Sequence, residues 1–145
     1  MVKKSALTSL KFRCFCRLSH AIHLYVFDRA HYSGTWHFDL PKTGIHRAQF
    51  IRDSVVDLRD SLSKAGSNLI VRHGSVLDAI RHLLDQCSSS AFPIQTLVFQ
   101  REVTKEETDL EAEISRLAKD KQIQVSLDLF SPTFFPSYSY VILPD

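Results

Sequence analysis

Glycine is scarce in this chain: there are four, and no two stand in a G-x-G arrangement. A dinucleotide-binding turn needs such glycines for its tight bend and close approach to a pyrophosphate, so a generic nucleotide-binding reading has nothing to rest on. Cysteine is equally sparse. Cys14, Cys16 and Cys87 make an odd count, which excludes a disulfide framework and points to a reducing compartment. No apolar run approaches the length of about 18 residues that a membrane-spanning helix needs. No internal repeat or low-complexity tract interrupts the sequence. Acid is missing from one end. No Asp or Glu precedes Asp28, while Lys3, Lys4, Lys11, Arg13 and Arg17 all lie in that stretch.

What is present is the composition of one soluble globular domain with a single core. The net charge of +2 is too small to argue for nucleic-acid binding, and none is expected. Ile22 to Phe27 is apolar, aromatic and β-branched, and it stops at Asp28, as a buried strand would. After a long loop from Asp28 to Gly44, the residues Ile45, Ala48, Ile51, Val55, Leu58 and Leu62 recur every three or four positions. They predict a helix to about Ala65, ended by Gly66. Leu69-Ile70-Val71 is a short strand. Ser75 and Asp78 cap a helix with the stripe Val76, Ile80, Leu83, Leu84 and Cys87. Thr96 to Phe99 is the next strand. Thr104 with Glu107 is a second capping box, ahead of the stripe Leu110, Ile114, Leu117 and Ala118. Ile123, Val125, Leu127 and Leu129 alternate with polar residues, as in a strand with one open face. The order β-α-β-α-β-α-β predicts an α/β fold, a three-layer Rossmann-like parallel sheet with helices on both faces. The domain spans 22–130, preceded by a basic segment 1–21 and followed by a divergent tail, 131–145.

Short motifs with known chemistry are few. Lys42-Thr43-Gly44 lacks the upstream glycine and spacing of a phosphate loop, and reads as a loop-to-helix junction with Thr43 near the cap. Cys14-x-Cys16 lacks zinc-knuckle spacing and a second pair, so no metal is expected. His31, His37 and His46 are scattered in or beside the long loop and form no acid–base set. No serine stands in a nucleophile-elbow context. Asp28 sits at the C-terminal end of a strand, where a turn carboxylate is commoner than a site residue.

Five segments carry a resemblance in a shared order and spacing. They are Leu24-Tyr25-Val26-Phe27-Asp28-Arg29-Ala30-His31-Tyr32, then Pro41 to Arg47, Asp53 to Arg59, Gly66 to Gly74, and Glu102 to Glu107. Over about residues 22–125 the chain resembles the N-terminal α/β domain of the photolyase/cryptochrome family, in particular the DASH-type cryptochromes. Those carry a YVFD-type strand end, an R-H-Y/F turn and a K-T-G ahead of an Arg-bearing helix. The family's first strand normally bears a W-F-R-x-D-L-R signature, which Lys11 to Leu18 matches only faintly. The three residues between that segment and Ile22 are too few for a parallel crossover.

The resemblance implies a blue-light photoreceptor or DNA photolyase whose FAD and DNA-lesion sites lie in a helical domain beyond this sequence. It therefore implies no catalytic residue here, and a truncated, non-catalytic antenna-type module. It also implies one wall of a methenyltetrahydrofolate antenna site. There the carboxylate of Glu102 grips the pterin through paired N–H bonds, with Gln100 and Arg101 as neighbours beyond a strand C-terminus. The bland alternative is a solvated carboxylate favoured by a helix dipole. The basic, Ser-containing N-terminus resembles a transit peptide, consistent with a chloroplast or mitochondrial relative; otherwise a cytoplasmic or nuclear location is expected. Two further expectations concern assembly. The chain is a piece of a light-dependent flavoenzyme that meets its flavin domain as partner, or a sheet without its central strand exposes edges and self-associates.

Overall fold

A computed structural model describes residues 20–34, 40–90, 93–100, 103–128 and 138–143; the side chains of Gln100, Leu127, Asp128 and 138–143 are outside that description. Segments 1–19 and 101–102, and with them Lys11–Leu18, Cys14, Cys16, Arg101 and Glu102, lie outside the described residues.

The four expected strands and three expected helices are all present. They are β1 (His20–Phe27), α1 (Ile45–Lys64), β2 (Leu69–His73), α2 (Val76–Ser88), β3 (Thr96–Gln100), α3 (Lys105–Asp120) and β4 (Gln124–Asp128), with a 3-10 turn at Arg29–His31. β1 runs parallel to β2, and β3 parallel to β4. Helices cover both faces. One core gathers Leu24 and Val26 of β1, Leu97 and Phe99 of β3, Val76, Ile80, Leu83 and Leu84 of α2, and Ile114 and Ala118 of α3. The opposite face packs Tyr25 and Phe27 of β1 and Leu69 and Val71 of β2 against Ile51, Val55, Leu58 and Leu62 of α1. This split follows from strand geometry, since successive side chains point to opposite faces and β1 is apolar on both.

The difference from expectation lies in the middle of the sheet. A fifth strand, β5 (Tyr138–Leu143), falls in the stretch the sequence leaves as a tail, and it gives the order β2-β1-β5-β3-β4. It is antiparallel to both neighbours, so the all-parallel sheet becomes a mixed one. Its direction has a simple cause. β4 ends at Asp128 on the C-terminal rim of the parallel strands, and β5 begins at Tyr138, beside Tyr25 near the same rim. The nine residues between them are too few for the return to the far end of the sheet that a parallel strand would need.

The helix ends explain themselves locally. Gly66 takes φ +83°; the Ser67 amide donates to the Leu62 carbonyl (2.9 Å) and the Gly66 amide to that of Ser63 (3.0 Å). That is a Schellman closure. α3 closes the same way through Ile123 to Ala118 (2.8 Å) and Gln122 to Lys119 (3.0 Å), but with Gln122 in the left-handed position at φ +58°. Ser75 and Thr104 cap α2 and α3 as their sequences predict, each accepting from the amide three residues on. Lys121 donates to Asp85, tying the end of α3 to α2 and holding that carboxyl below its usual range.

Candidate site at the C-terminal rim

β1 ends at Phe27, and there a turn, a loop and two helix starts converge. Asp28 organises the junction. Its Oδ1 accepts from the Ala30 amide at 2.8 Å, capping the 3-10 turn. Its Oδ2 accepts from the Val76 amide at 3.4 Å, reaching the first residue of α2. Gly74, at φ +130°, donates its amide to the Phe27 carbonyl (3.0 Å), so β1 and the entry to α2 are pinned twice. The long loop folds back over this end. Gly34 bridges to Pro41, the Lys42 amide donates to the Ser33 carbonyl (3.1 Å), and the Thr43 hydroxyl donates to the His31 carbonyl (2.6 Å). Lys42-Thr43-Gly44 is thus a loop-to-helix junction, with Gly44 as N-cap of α1 and no side-chain cap.

The result is a cavity of about 140 Å³ at the β1 C-terminus. Tyr25, Phe27 and Tyr32 supply aromatic walls, and the first two rings meet edge-on at 4.9 Å. Lys42, Arg47 and His31 bring nitrogen to the mouth; Asp28 and Glu107 bring carboxylates, with Thr43, Val26 and Ile51 between them. Lys42 also donates to both oxygens of Glu106, at 3.1 and 2.9 Å, joining the loop to the first turn of α3. On the other side of that turn, Glu107 is held by Thr104, whose hydroxyl donates to its Oε2 at 2.6 Å. Burial pushes the Tyr32 phenol up, and the neighbouring Arg47 charge pulls it partly back. The phenol is therefore a neutral donor at the cavity wall through the physiological range. Chemically, the arrangement suits a flat, polar or anionic group laid on an aromatic wall.

Of the residues singled out from sequence, Asp28 and His31 line this cavity, whereas His46 lies exposed on α1. His37 is outside the described residues. Gln100 closes β3, facing Asp128 in the register, and the connection carrying Arg101 and Glu102 leads from it to the N-cap of α3. Tyr32, Lys42, Arg47 and Glu107 were not foreseen together. Their common signal is position: all flank the carboxyl end of a strand in an open α/β sheet, where such folds place ligands. Among the described residues no group of three or more His, Cys, Asp or Glu could hold a metal ion, and no helix is long and apolar enough to cross a membrane.

A sheet with helices on both faces and a polar cavity at its carboxyl rim defines an α/β domain of the open-sheet class. Comparison with known proteins specifies it. The family model described as DNA photolyase matches residues 16–129, and the chain belongs to that family. It is similar to Cryptochrome DASH of Danio rerio, 41% identical over 73% of this chain and 20% of that protein. It is also similar to Cryptochrome DASH of Xenopus laevis, 40% identical over 82% of this chain and 21% of that protein. A chloroplastic/mitochondrial Cryptochrome DASH of Solanum lycopersicum is 32% identical over 64% of this chain and 15% of that protein. The chain spans about a fifth of the length of the first two relatives. It is a photolyase/cryptochrome-type α/β domain with DASH cryptochromes as its relatives.

Proposed function

We propose that this chain is the antenna-side domain of a DASH-type blue-light photoreceptor, and that its rim cavity forms one wall of a chromophore site. The observation that carries this is the cavity at the end of β1, with aromatic faces beside Lys42, Arg47 and Glu107. At about 140 Å³ it is smaller than the roughly 300–1,000 Å³ of a self-contained ligand pocket. It therefore suits a shared site rather than a complete one. The chromophore is a methenyltetrahydrofolate, whose pterin amino and ring N–H groups pair with the carboxylate of Glu102. Gln100 and Arg101 are the sequence neighbours of Glu102 at the end of β3, and Lys42 and Arg47 of the cavity are the cations suited to the folate's acidic tail. When bound, such a pigment supplies blue-light absorption. This chain's residues only hold and orient it. The domain is non-catalytic by itself. FAD and any DNA-repair chemistry belong to the helical, flavin-binding domain of the relatives, which is the partner this domain would meet.

The test is a titration of the purified chain with methenyltetrahydrofolate followed by fluorescence anisotropy. Saturable binding, weakened at least tenfold by Glu102→Gln, is the expected result, because the substitution replaces a bidentate charge-assisted pair with a single neutral acceptor. Binding that is unsaturable, or indifferent to Glu102 and Arg47 alike, overturns it. A second reading, that the chain is one part of a complete light-dependent flavoenzyme, is favoured by its matching only a fifth of its relatives' length. A transcript joining it in frame to a helical domain would support that reading. An organellar location follows the printed names of the plant relatives and is read directly from a fluorescent fusion of the basic segment 1–21.

A further inference from the structure

Lys42 lines the rim cavity, yet its ammonium is engaged elsewhere. Its Nζ donates to both oxygens of Glu106, at 3.1 and 2.9 Å, 64 residues along the chain. Glu106 is not among the lining residues, so this contact is an alternative to a ligand and not part of its cradle. We propose that Glu106 is an internal competitor for Lys42. It takes up the ammonium that a ligand's acidic group would take, and a carboxylate- or phosphate-bearing ligand enters by displacing it. This rests on the cavity taking a ligand with an acidic arm, and it names the contact such a ligand must exchange.

Three observations carry this. First, neither end of the pair depends on the other for its place. The Lys42 backbone is fixed by its amide bond to the Ser33 carbonyl, and the next residue by the Thr43 hydroxyl bond to His31. The start of α3 is fixed by Thr104, which accepts from the Glu107 amide and donates to the Glu107 carboxylate. Parting Lys42 from Glu106 therefore moves two flexible side chains and no backbone. Secondly, the pair is weak where it stands. The Glu106 side chain is 75% exposed and that of Lys42 30%, and ion pairs in such surroundings add little and are screened by salt. Thirdly, the charges at the mouth make Lys42 the deciding group. The lining carries two permanent cations, Lys42 and Arg47, and two carboxylates, Asp28 and Glu107. Asp28 is held by the Ala30 and Val76 amides and Glu107 by Thr104, and among the described residues neither carboxylate forms an ion pair, nor does Arg47. Glu106 is a third carboxylate beside a balanced set and turns the mouth negative. An anion is repelled while Lys42 stays with Glu106 and is held by two cations once Lys42 changes partner.

The test titrates inorganic pyrophosphate into the full-length chain and into its Glu106→Gln, Lys42→Gln and double variants. Binding is read from the amide resonances of Thr43 and Arg47. Saturable binding to the parent should tighten about two- to fivefold in Glu106→Gln, the range an exposed pair supports. That gain should vanish in the Lys42→Gln background, because a competitor acts only through the group it competes for. A gain that persists without Lys42 makes Glu106 a general field charge and overturns the proposal. No gain, or no binding to Glu106→Gln, overturns it too. Glu106→Gln should also melt within about 1 °C of the parent; a larger drop makes the pair a structural tie between loop and helix and overturns the competitor role. Pyrophosphate carries no pterin, so the two readings separate. Folate binding that depends on Glu102, with the pyrophosphate cycle flat, removes the competitor alone; a positive cycle without folate binding removes the antenna reading alone.

Discussion

Replacing Asp28 by alanine tests whether one carboxylate couples β1 to α2. Its two oxygens do different work: Oδ1 caps the 3-10 turn at 2.8 Å, and Oδ2 reaches the Val76 amide at 3.4 Å, 48 residues along the chain. Losing a side-chain cap of the first kind costs about 0.5–2 kcal/mol. The second contact is near the distance limit and adds roughly 0.5 kcal/mol, since a hydrogen bond of that length is well past its optimum. Asp28→Ala should therefore cost about 1–2.5 kcal/mol. For a chain of this size about 1 kcal/mol moves Tm by roughly 3–4 °C, giving a drop of about 3–10 °C in a far-ultraviolet dichroism melt at neutral pH. Asp28→Asn keeps one acceptor oxygen and should lose about half as much. Amide exchange separates the two bonds: alanine should speed exchange at both Ala30 and Val76, asparagine at only one. An alanine variant within about 1 °C of the parent, or one in which exchange at Val76 is unchanged, would refute the coupling.

Gln122→Gly should stabilise the chain by about 0.5–1 kcal/mol, because the left-handed φ of +58° that closes α3 strains a residue with a Cβ and not a glycine; a chemical-denaturation midpoint that falls instead would show the closure is not strained. Burial lowers the His23 imidazole below its ordinary value near 6.5, so the folded chain holds it neutral while the unfolded chain takes up a proton. Stability from this source is present above about pH 6.5 and is lost as pH falls through it, and His23→Gln should flatten the stability profile between about pH 7 and 5. Ile80 is 0% exposed between β1, β3 and α3, so Ile80→Ala should cost about 2–5 kcal/mol and Ile80→Val about 0.5–1.5 kcal/mol, measured by urea unfolding at constant slope.

The elements that were legible in the sequence are those whose reasons are local. Ser75 with Asp78 and Thr104 with Glu107 mark helix starts because each cap bonds within one turn. Gly66 marks a stop because the left-handed residue must be permissive. The two faces of β1 follow from its run Leu24 to Phe27 being apolar on both, which fits a strand covered on both sides. β5 was not legible, although Tyr138, Tyr140, Val141, Ile142 and Leu143 between two prolines have strand composition. A six-residue run does not name its neighbours, and these come from distant parts of the chain. The cavity was hidden for the same reason. Asp28 and His31 had been noticed, but Tyr32, Lys42, Arg47 and Glu107 belong to separate segments that only the rim of the sheet brings together.

The position of β5 also bears on the order in which this domain can be made. A chain emerging from its N-terminal side can form β1 with β2, and later β3 with β4, each pair closing over its own helix. The pairing of His20 with Leu143 must wait for nearly the whole described chain. Contacts of such separation cost the most loop-closure entropy and come late in folding. Until Tyr138–Leu143 is in place, the pairs β1–β2 and β3–β4 share the core under α2 and α3 but no backbone ladder, so the sheet becomes continuous only in this last pairing step.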